Sequence, residues 1–236
     1  IIAQIQSCYT NQFTLTLAAL GSALGTHHAF VALLPPMFWF SNDHSSISLS
    51  RIYGLGLLGT LAWSTYFCGV LKDLFMLPRP VSPPVVYKDF VSSVFKEYGM
   101  PSTHTSNSTT IAFFTIFFYC FHSSSLLNLQ TLFIVCSLFL YTIVVAGGRV
   151  LYGVHSFVDV ISGFIVGMIT SLIGFLLLNK VESFVTSSNI TVPFLVLILS
   201  LLAIVLHPQP ADPCPCFKDS VSFLAAWTGG CIGTWY

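Results

Sequence analysis

Tyr98-Gly99-Met100-Pro101-Ser102-Thr103-His104 and Gly148-Arg149-Val150-Leu151-Tyr152-Gly153-Val154-His155-Ser156-Phe157-Val158-Asp159 enclose two long apolar runs. Only 7% of the chain is charged, and ionisable residues set beside apolar runs are costly enough to mark functional positions by default. Lys72, Arg79 and Pro80 stand upstream of both segments. Together they read as a phosphate-handling site at a membrane surface.

The composition agrees. The chain has 236 residues, 55% of them hydrophobic, with 22 phenylalanines and a mean hydropathy of +0.84. That excludes an ordinary soluble domain, in which about 25% of residues are charged. Eight Lys plus Arg balance eight Asp plus Glu, so no basic field points to nucleic acid. Cys8, Cys68, Cys120, Cys136, Cys214, Cys216 and Cys231 lack zinc-site spacing. The first four lie in or near apolar runs and read as buried thiols, while the Cys214-Pro215-Cys216 loop could bond to Cys231 in an oxidising compartment. The chain starts Ile-Ile-Ala and stops within an apolar stretch, so it is expected to be an internal piece of a longer protein.

A helix needs about 20 mostly apolar residues to cross a bilayer. Such runs are predicted at about Phe13 to Phe40, Ile52 to Leu71, Ser102 to Phe121, Thr131 to Ala146, His155 to Leu178 and Val192 to Leu206, with a seventh from Val221 to Tyr236. The expectation is an all-α, polytopic helical membrane protein, a bundle of about seven or more transmembrane helices in one integral-membrane domain over 1–236, its catalytic core at about 52–179. Residues 72–102 carry Pro78, Pro80, Pro83 and Pro84; proline removes a backbone donor and disfavours helix before it, so this connection is a loop or short interfacial helix. Gly147-Gly148-Arg149 is expected to break the fourth run.

Alternating span direction puts Lys72, Arg79, His104, Arg149, His155 and Asp159 on one membrane face. Setting aside the site's own cations, that side keeps Lys88, Lys96 and Lys218 against Arg51 and Lys180 opposite, a margin that decides no positive-inside orientation.

Lys72, Arg79 and Arg149 supply fixed cations, guanidinium matching phosphate oxygens with forked donors and lysine acting as a point charge. They would offset a phosphomonoester and the negative charge on five-coordinate phosphorus. Pro101-Ser102 before an apolar helix presents free amides and the positive helix end, a ready anion site. The Ser102 hydroxyl can cap that helix or donate to phosphate, and Thr103 and His104 would add amides. His155 and Asp159, four apart, share a helix face; a carboxylate on one imidazole nitrogen fixes the tautomer and makes the other nucleophilic. His104 can protonate a leaving alkoxide and then activate water. The set makes a complete phosphatase without a metal or cofactor.

The order Lys72, six residues, Arg79-Pro80; Pro101-Ser102-Thr103-His104; and Arg149, five residues, His155, three residues, Asp159 resembles the three-part signature of the type 2 phosphatidic acid phosphatase superfamily. The resemblance implies that His155 is the nucleophile forming a phosphohistidine, that Asp159 orients it and that His104 is the general acid. Lys72, Arg79, Ser102, Thr103 and Arg149 would hold the phosphate. Gly148 departs from the pattern, standing where the family usually has Ser. Arg79-Pro80-Val81-Ser82-Pro83-Pro84 and Glu97-Tyr98-Gly99-Met100-Pro101-Ser102 look like the sphingosine 1-phosphate or long-chain-base phosphate phosphatases. Membership there implies a phosphorylated sphingoid lipid as substrate, membrane lipids as surroundings, and an endoplasmic reticulum membrane with the site facing the lumen; homo-oligomerisation stays open.

Plainer roles compete. His104 can merely satisfy a helix start, His155 with Asp159 can hold two helices together, and Lys72 can be a snorkelling anchor. His27 and His28 read as a buried pair rather than metal ligands, Lys88, Asp89, Lys96 and Glu97 as a solvated loop, and Phe113, Phe114, Phe117 and Phe118 as lipid-facing or packing surface. Asn107 and Asn189 match a glycosylation pattern, the first within a span and the second opposite the site. The alternative enzyme is a broader lipid phosphate or isoprenoid pyrophosphate phosphatase. The alternative class is a lipid-phosphate binding protein or transporter, which would not need both histidines.

Overall fold

The computed structural model describes residues 1–25, 30, 34, 36, 49–87, 97–122, 128–212 and 214–236. His27, His28, Lys88, Asp89 and Lys96, and much of the first expected span, lie outside them. The helices are α1 (Ile2–Tyr9), α2 (Gln12–Leu24), α3 (Leu49–Phe75), α4 (Thr103–His122), α5 (Leu129–Leu151), α6 (Phe157–Val185), α7 (Thr191–Val205) and α8 (Cys216–Trp235), with no strand among the described residues. Side chains set several starts, because the first amides of a helix have no partner within it. Asn11 Oδ1 accepts from Thr14 N at 2.9 Å, and Asn128 Oδ1 from Thr131 N at 2.7 Å.

By length and composition, three helices among the described residues suffice to cross a membrane: Ser50–Phe75, Leu129–Leu151 and Phe157–Val185. Two expected boundaries change. Gly147-Gly148-Arg149 does not break its run, since α5 continues to Leu151; helical glycine costs only about 1 kcal/mol relative to alanine. The next helix begins at Phe157 with Ser156 as its cap, so His155 stands just before it.

The α4 helix fails the hydropathy requirement yet sits at the centre. Thr105, Ser106, Asn107, Ser108, Thr109 and Thr110 are all buried, which on a 3.6-residue helix means on every face. The neighbouring helices pair three of them. Ser64 Oγ of α3 pairs with Ser106 Oγ at 2.7 Å, Thr65 Oγ1 donates to Asn107 Oδ1 at 3.1 Å, and Ser171 Oγ of α6 donates to the Thr110 carbonyl at 3.2 Å. Lipid offers no hydrophobic drive between helices, so close packing and such bonds, about 0.6–2 kcal/mol each, hold the bundle. Gly163 permits one close approach between α4 and α6: a Cβ there would lie 2.5 Å from the Ser102 carbonyl oxygen.

Apolar packing completes the interior. Leu57, Leu61, Phe114, Phe118 and Leu178 form one cluster between α3, α4 and α6, and Leu55, Ala62, Val185, Val192, Val196 and Trp227 form another that includes α7 and α8. Phe113 packs edge-on against Phe139 and Phe164 at 5.5 and 5.6 Å, so these aromatics are packing surface. Outward faces such as Leu140 and Ile143 of α5, or Ile169 and Ile173 of α6, remain exposed and suit lipid.

The cysteines depart from expectation. Cys68 is buried, but Cys8 and Cys136 are exposed. Cys214 bonds to Cys216 instead of Cys231; α8 carries Cys231 fifteen residues beyond Cys216, about 22 Å at 1.5 Å per residue, and buries it beside Trp227.

Candidate active site

The last turn of α3 points Lys72 inward, 1% exposed, where Nζ meets Glu97 Oε2 at 3.0 Å. Four residues beyond α3, Arg79 spreads its fork across two chain segments. Nε donates to the Glu97 carbonyl at 2.9 Å, Nη1 to the Val154 carbonyl at 2.7 Å, and Nη2 lies 3.4 Å from Glu97 Oε2. Burial alone would raise the Glu97 carboxyl, but Lys72 and Arg79, with Arg149 farther off, hold it below the usual range.

The turn before α6 presents His155. Gly153 makes it possible at φ +73°, a conformation that costs an L-residue about 1–2 kcal/mol. Gln6 of α1 braces the turn, donating from Nε2 to the Leu151 carbonyl at 2.9 Å and the Val86 carbonyl at 2.7 Å, and accepting from Val86 N at 3.0 Å. Arg79 Nη1 lies 3.3 Å from His155 Nε2. Guanidinium can only donate, so this contact needs the lone pair on Nε2 and the proton on Nδ1. Nδ1 faces Asp159 Oδ2 at 3.6 Å.

Asp159 has two tasks. Its Oδ2 accepts from Ser156 N at 2.7 Å while Ser156 Oγ accepts from Asp159 N at 3.2 Å, a reciprocal cap that starts α6. The His155–Asp159 pairing thus straddles a helix start and does not run along one helix face. Burial, then Arg79, Arg149, Lys72 and His104, depress His155 well below the usual imidazole range. A neutral imidazole with its Nε2 lone pair among cations can attack an electrophilic phosphorus.

The start of α4 is tied to the same place: Ser102 N donates to the Asp159 carbonyl at 2.9 Å. The Ser102 hydroxyl is fully buried and accepts from Thr105 Oγ1 at 3.1 Å and Thr105 N at 3.5 Å, the capping half of its expected role. Thr103 shares a small cavity with Lys72 and Glu97. His104 is half-buried, beside Gly25 at the end of α2, and lies within electrostatic reach of His155. Arg149 is 2% exposed on the last turn of α5, and its Nη1 donates to Ser22 Oγ at 3.3 Å.

The local geometry accounts for Gly148. A Cβ there would lie 3.1 Å from Ala18 Cα and 3.2 Å from Ala18 Cβ, so a serine would push α2 away from α5.

The predicted residues therefore converge at the ends of α3, α4, α5 and α6, and two participants were missed. Glu97 was grouped with a solvated loop, although its position directly before Tyr98-Gly99-Met100-Pro101 was the available signal. Gln6 gave none, because its partners are backbone atoms far away in sequence.

A dihydrosphingosine 1-phosphate phosphatase of Schizosaccharomyces pombe is 33% identical over 236 residues, 100% of this chain and 56% of the relative. A dihydrosphingosine 1-phosphate phosphatase of Saccharomyces cerevisiae is 33% identical over 91% of this chain and 51% of its own length. The chain thus spans about half the length of the curated relatives it matches. Among solved structures, a transmembrane PAP2 type phosphatidylglycerolphosphate phosphatase from Bacillus subtilis superposes with a TM-score of 0.58 at 19% identity, covering 77% of this chain and 83% of that one; that likeness concerns the fold. Residues 53–183, over half of the chain and inclusive of every position from Lys72 to Asp159 discussed above, match the PAP2 superfamily, and the chain belongs to that superfamily.

Proposed function

We propose that the protein is a membrane lipid phosphatase that hydrolyses sphingoid base 1-phosphates to the free base and phosphate through a phosphohistidine. The observation that carries the reading is the line Arg79–His155–Asp159, in which Nε2 bears the lone pair toward a guanidinium and Nδ1 faces a carboxylate. The names of the relatives supply the substrate class. Lys72, Arg79 and Arg149 hold the phosphate oxygens, with the Thr103 amide and the Ser102 hydroxyl at the start of α4. His155 Nε2 bonds to phosphorus as the lipid C1–O–P linkage breaks on the phosphorus side, and His104 gives its proton to the departing alkoxide. The imidazolium of phospho-His155 is balanced by Asp159. His104 then takes a proton from water, the water oxygen bonds to phosphorus and the P–N bond breaks, restoring the Nε2 lone pair. Among these steps the catalytic residues are His155 and His104, with Asp159 positioning the nucleophile.

The same reading makes 1–236 a single integral-membrane domain with its core at about 52–179, in an endoplasmic reticulum membrane with the site toward the lumen. Asn107, 3% exposed and bonded to Thr65, is then closed to glycosylation, and Asn189 is cytosolic.

The test is phosphate release by the full-length protein in chelator from sphingosine 1-phosphate, dihydrosphingosine 1-phosphate and phosphatidate, for wild type and His155→Ala. Release confined to the sphingoid phosphates and lost in the variant is the expected result. Comparable release from phosphatidate would replace the substrate class with the broader one. Binding without release from any substrate would favour a lipid-phosphate binding protein.

A further inference from the structure

Glu97 is bonded to two of the cations that would hold a substrate phosphate. Its carboxylate accepts from Lys72 Nζ at 3.0 Å and lies 3.4 Å from Arg79 Nη2, while the other terminal nitrogen of Arg79 touches His155 Nε2 at 3.3 Å. A phosphate bonded to those cations and in line with Nε2 arrives beside Glu97, separated from it by little more than one guanidinium. Two anionic groups then compete for Lys72 and Arg79. Like charges so close in a partly buried site repel unless a positive charge relieves them.

The substrate itself can bring that charge. In a sphingoid base 1-phosphate the carbon next to the phosphate ester bears an ammonium and the following carbon a hydroxyl; a phosphatidate bears ester oxygens there and has no cation. A cavity with room for about one water-sized group lies beside Glu97 and carries polar groups suited to the former chemistry. Its lining includes Thr65, Lys72, Glu97 and Thr103, together with Asp219 from the first turn of α8. It therefore offers carboxylates and hydroxyl groups, and it adjoins the phosphate cations on the Lys72 side.

Resting on the phosphatase reading above, we propose that Glu97 is a specificity-determining residue: it neutralises Lys72 and Arg79 in the empty site and passes to the C2 ammonium of the sphingoid base when phosphate takes those cations. No bond is made or broken in this exchange, and no proton need move. Glu97 thereby attracts amino lipids and works against phosphate esters that lack the amine. A charged hydrogen bond contributes about 1.5–3 kcal/mol, so the preference should be about tenfold or more in kcat/KM.

The experiment compares sphinganine 1-phosphate with its 2-deamino analogue of equal chain length, using the full-length wild type, Glu97→Gln, Glu97→Asp and Asp219→Asn. The quantity read is the ratio of kcat/KM between the two substrates. Wild type should favour the amine, Glu97→Gln should bring the ratio close to one, and Glu97→Asp should retain most of it, with Asp219→Asn intermediate. A ratio unchanged in Glu97→Gln, with both substrates slowed alike, would mean that Glu97 only orders Lys72 and Arg79 and would overturn the proposal. So would a wild-type ratio near one, a result that needs no variant to fold and leaves the phosphatase reading intact. Failure of wild type to release phosphate from any lipid phosphate would instead remove the phosphatase reading, and this inference with it.

Discussion

Replacing Arg79 by lysine keeps the charge and removes the fork. The guanidinium reaches the Glu97 carbonyl through Nε at 2.9 Å and the Val154 carbonyl through Nη1 at 2.7 Å, and so fastens the loop before α4 to the turn that bears His155. An ammonium is compact and cannot span both carbonyls. Each bond to a charged donor is worth about 1.5–3 kcal/mol, so losing one removes about 1.5–3 kcal/mol of alignment and losing both about 3–6 kcal/mol. If that alignment acts in the transition state, kcat/KM falls by about one to four powers of ten. Phosphate release from sphinganine 1-phosphate by full-length Arg79→Lys measures it, with a melting curve in the same detergent to separate misfolding from misalignment. The acid limb of the pH profile should stay near its wild-type position, because the charge that opposes protonation of His155 remains. Activity within about fivefold of wild type would mean that the site needs only a cation there, and would refute the argument from the fork.

Two other outcomes follow from the same geometry. His155 is held well below the usual imidazole range by burial and by Arg79, Arg149, Lys72 and His104; the neutral form attacks, so kcat/KM should keep its plateau to below about pH 6.5, and Arg149→Gln, which removes one opposing cation, should move the acid limb upward. Gly153→Ala should lower the melting temperature by several degrees and the activity with it: φ +73° opposes any Cβ, which would also lie 2.5 Å from Val85 Cγ1 and 2.9 Å from Gln6 Nε2. Together these cost about 3 kcal/mol, and an unchanged melting curve would contradict that account of the turn.

What could be read from the sequence was the part fixed by spacing along single helices. Lys72 ends one apolar run, His104 starts another, and Arg149 ends a third, so span direction alone predicts their shared face. What could not be read depends on contacts between segments distant in the chain. Asp159 was expected to meet His155 along a helix face; instead it caps α6 through Ser156 and touches His155 from across that cap. Glu97 has the charge and polarity of a solvated residue, and only the arrival of Lys72 and Arg79 from elsewhere makes it part of the site. Gly148 looked like a lost hydrogen bond, whereas a larger residue there would press on Ala18 of α2.

The fold shows why hydropathy found α4 only imperfectly. A span that faces lipid must be apolar, but one enclosed by other helices need only have its polar atoms paired. Ser106, Asn107 and Thr110 meet that second condition through Ser64, Thr65 and Ser171, and Thr105 and Ser108 meet it through Ser102 and the Thr105 carbonyl, whereas the buried Thr109 Oγ1 has no hydrogen-bond partner. The bonds at Ser106, Asn107 and Thr110 fix α4 in rotation as well as depth, since each joins it to a particular residue of α3 or α6. Ser102 inherits that fixed position, and its amide, bonded to the Asp159 carbonyl, joins the start of α4 to the start of α6. The polar interior that makes α4 a poor lipid-facing span is thus what aligns His104 with the turn carrying His155, and a sequence of uniformly apolar residues at 105–110 would leave that alignment to packing alone.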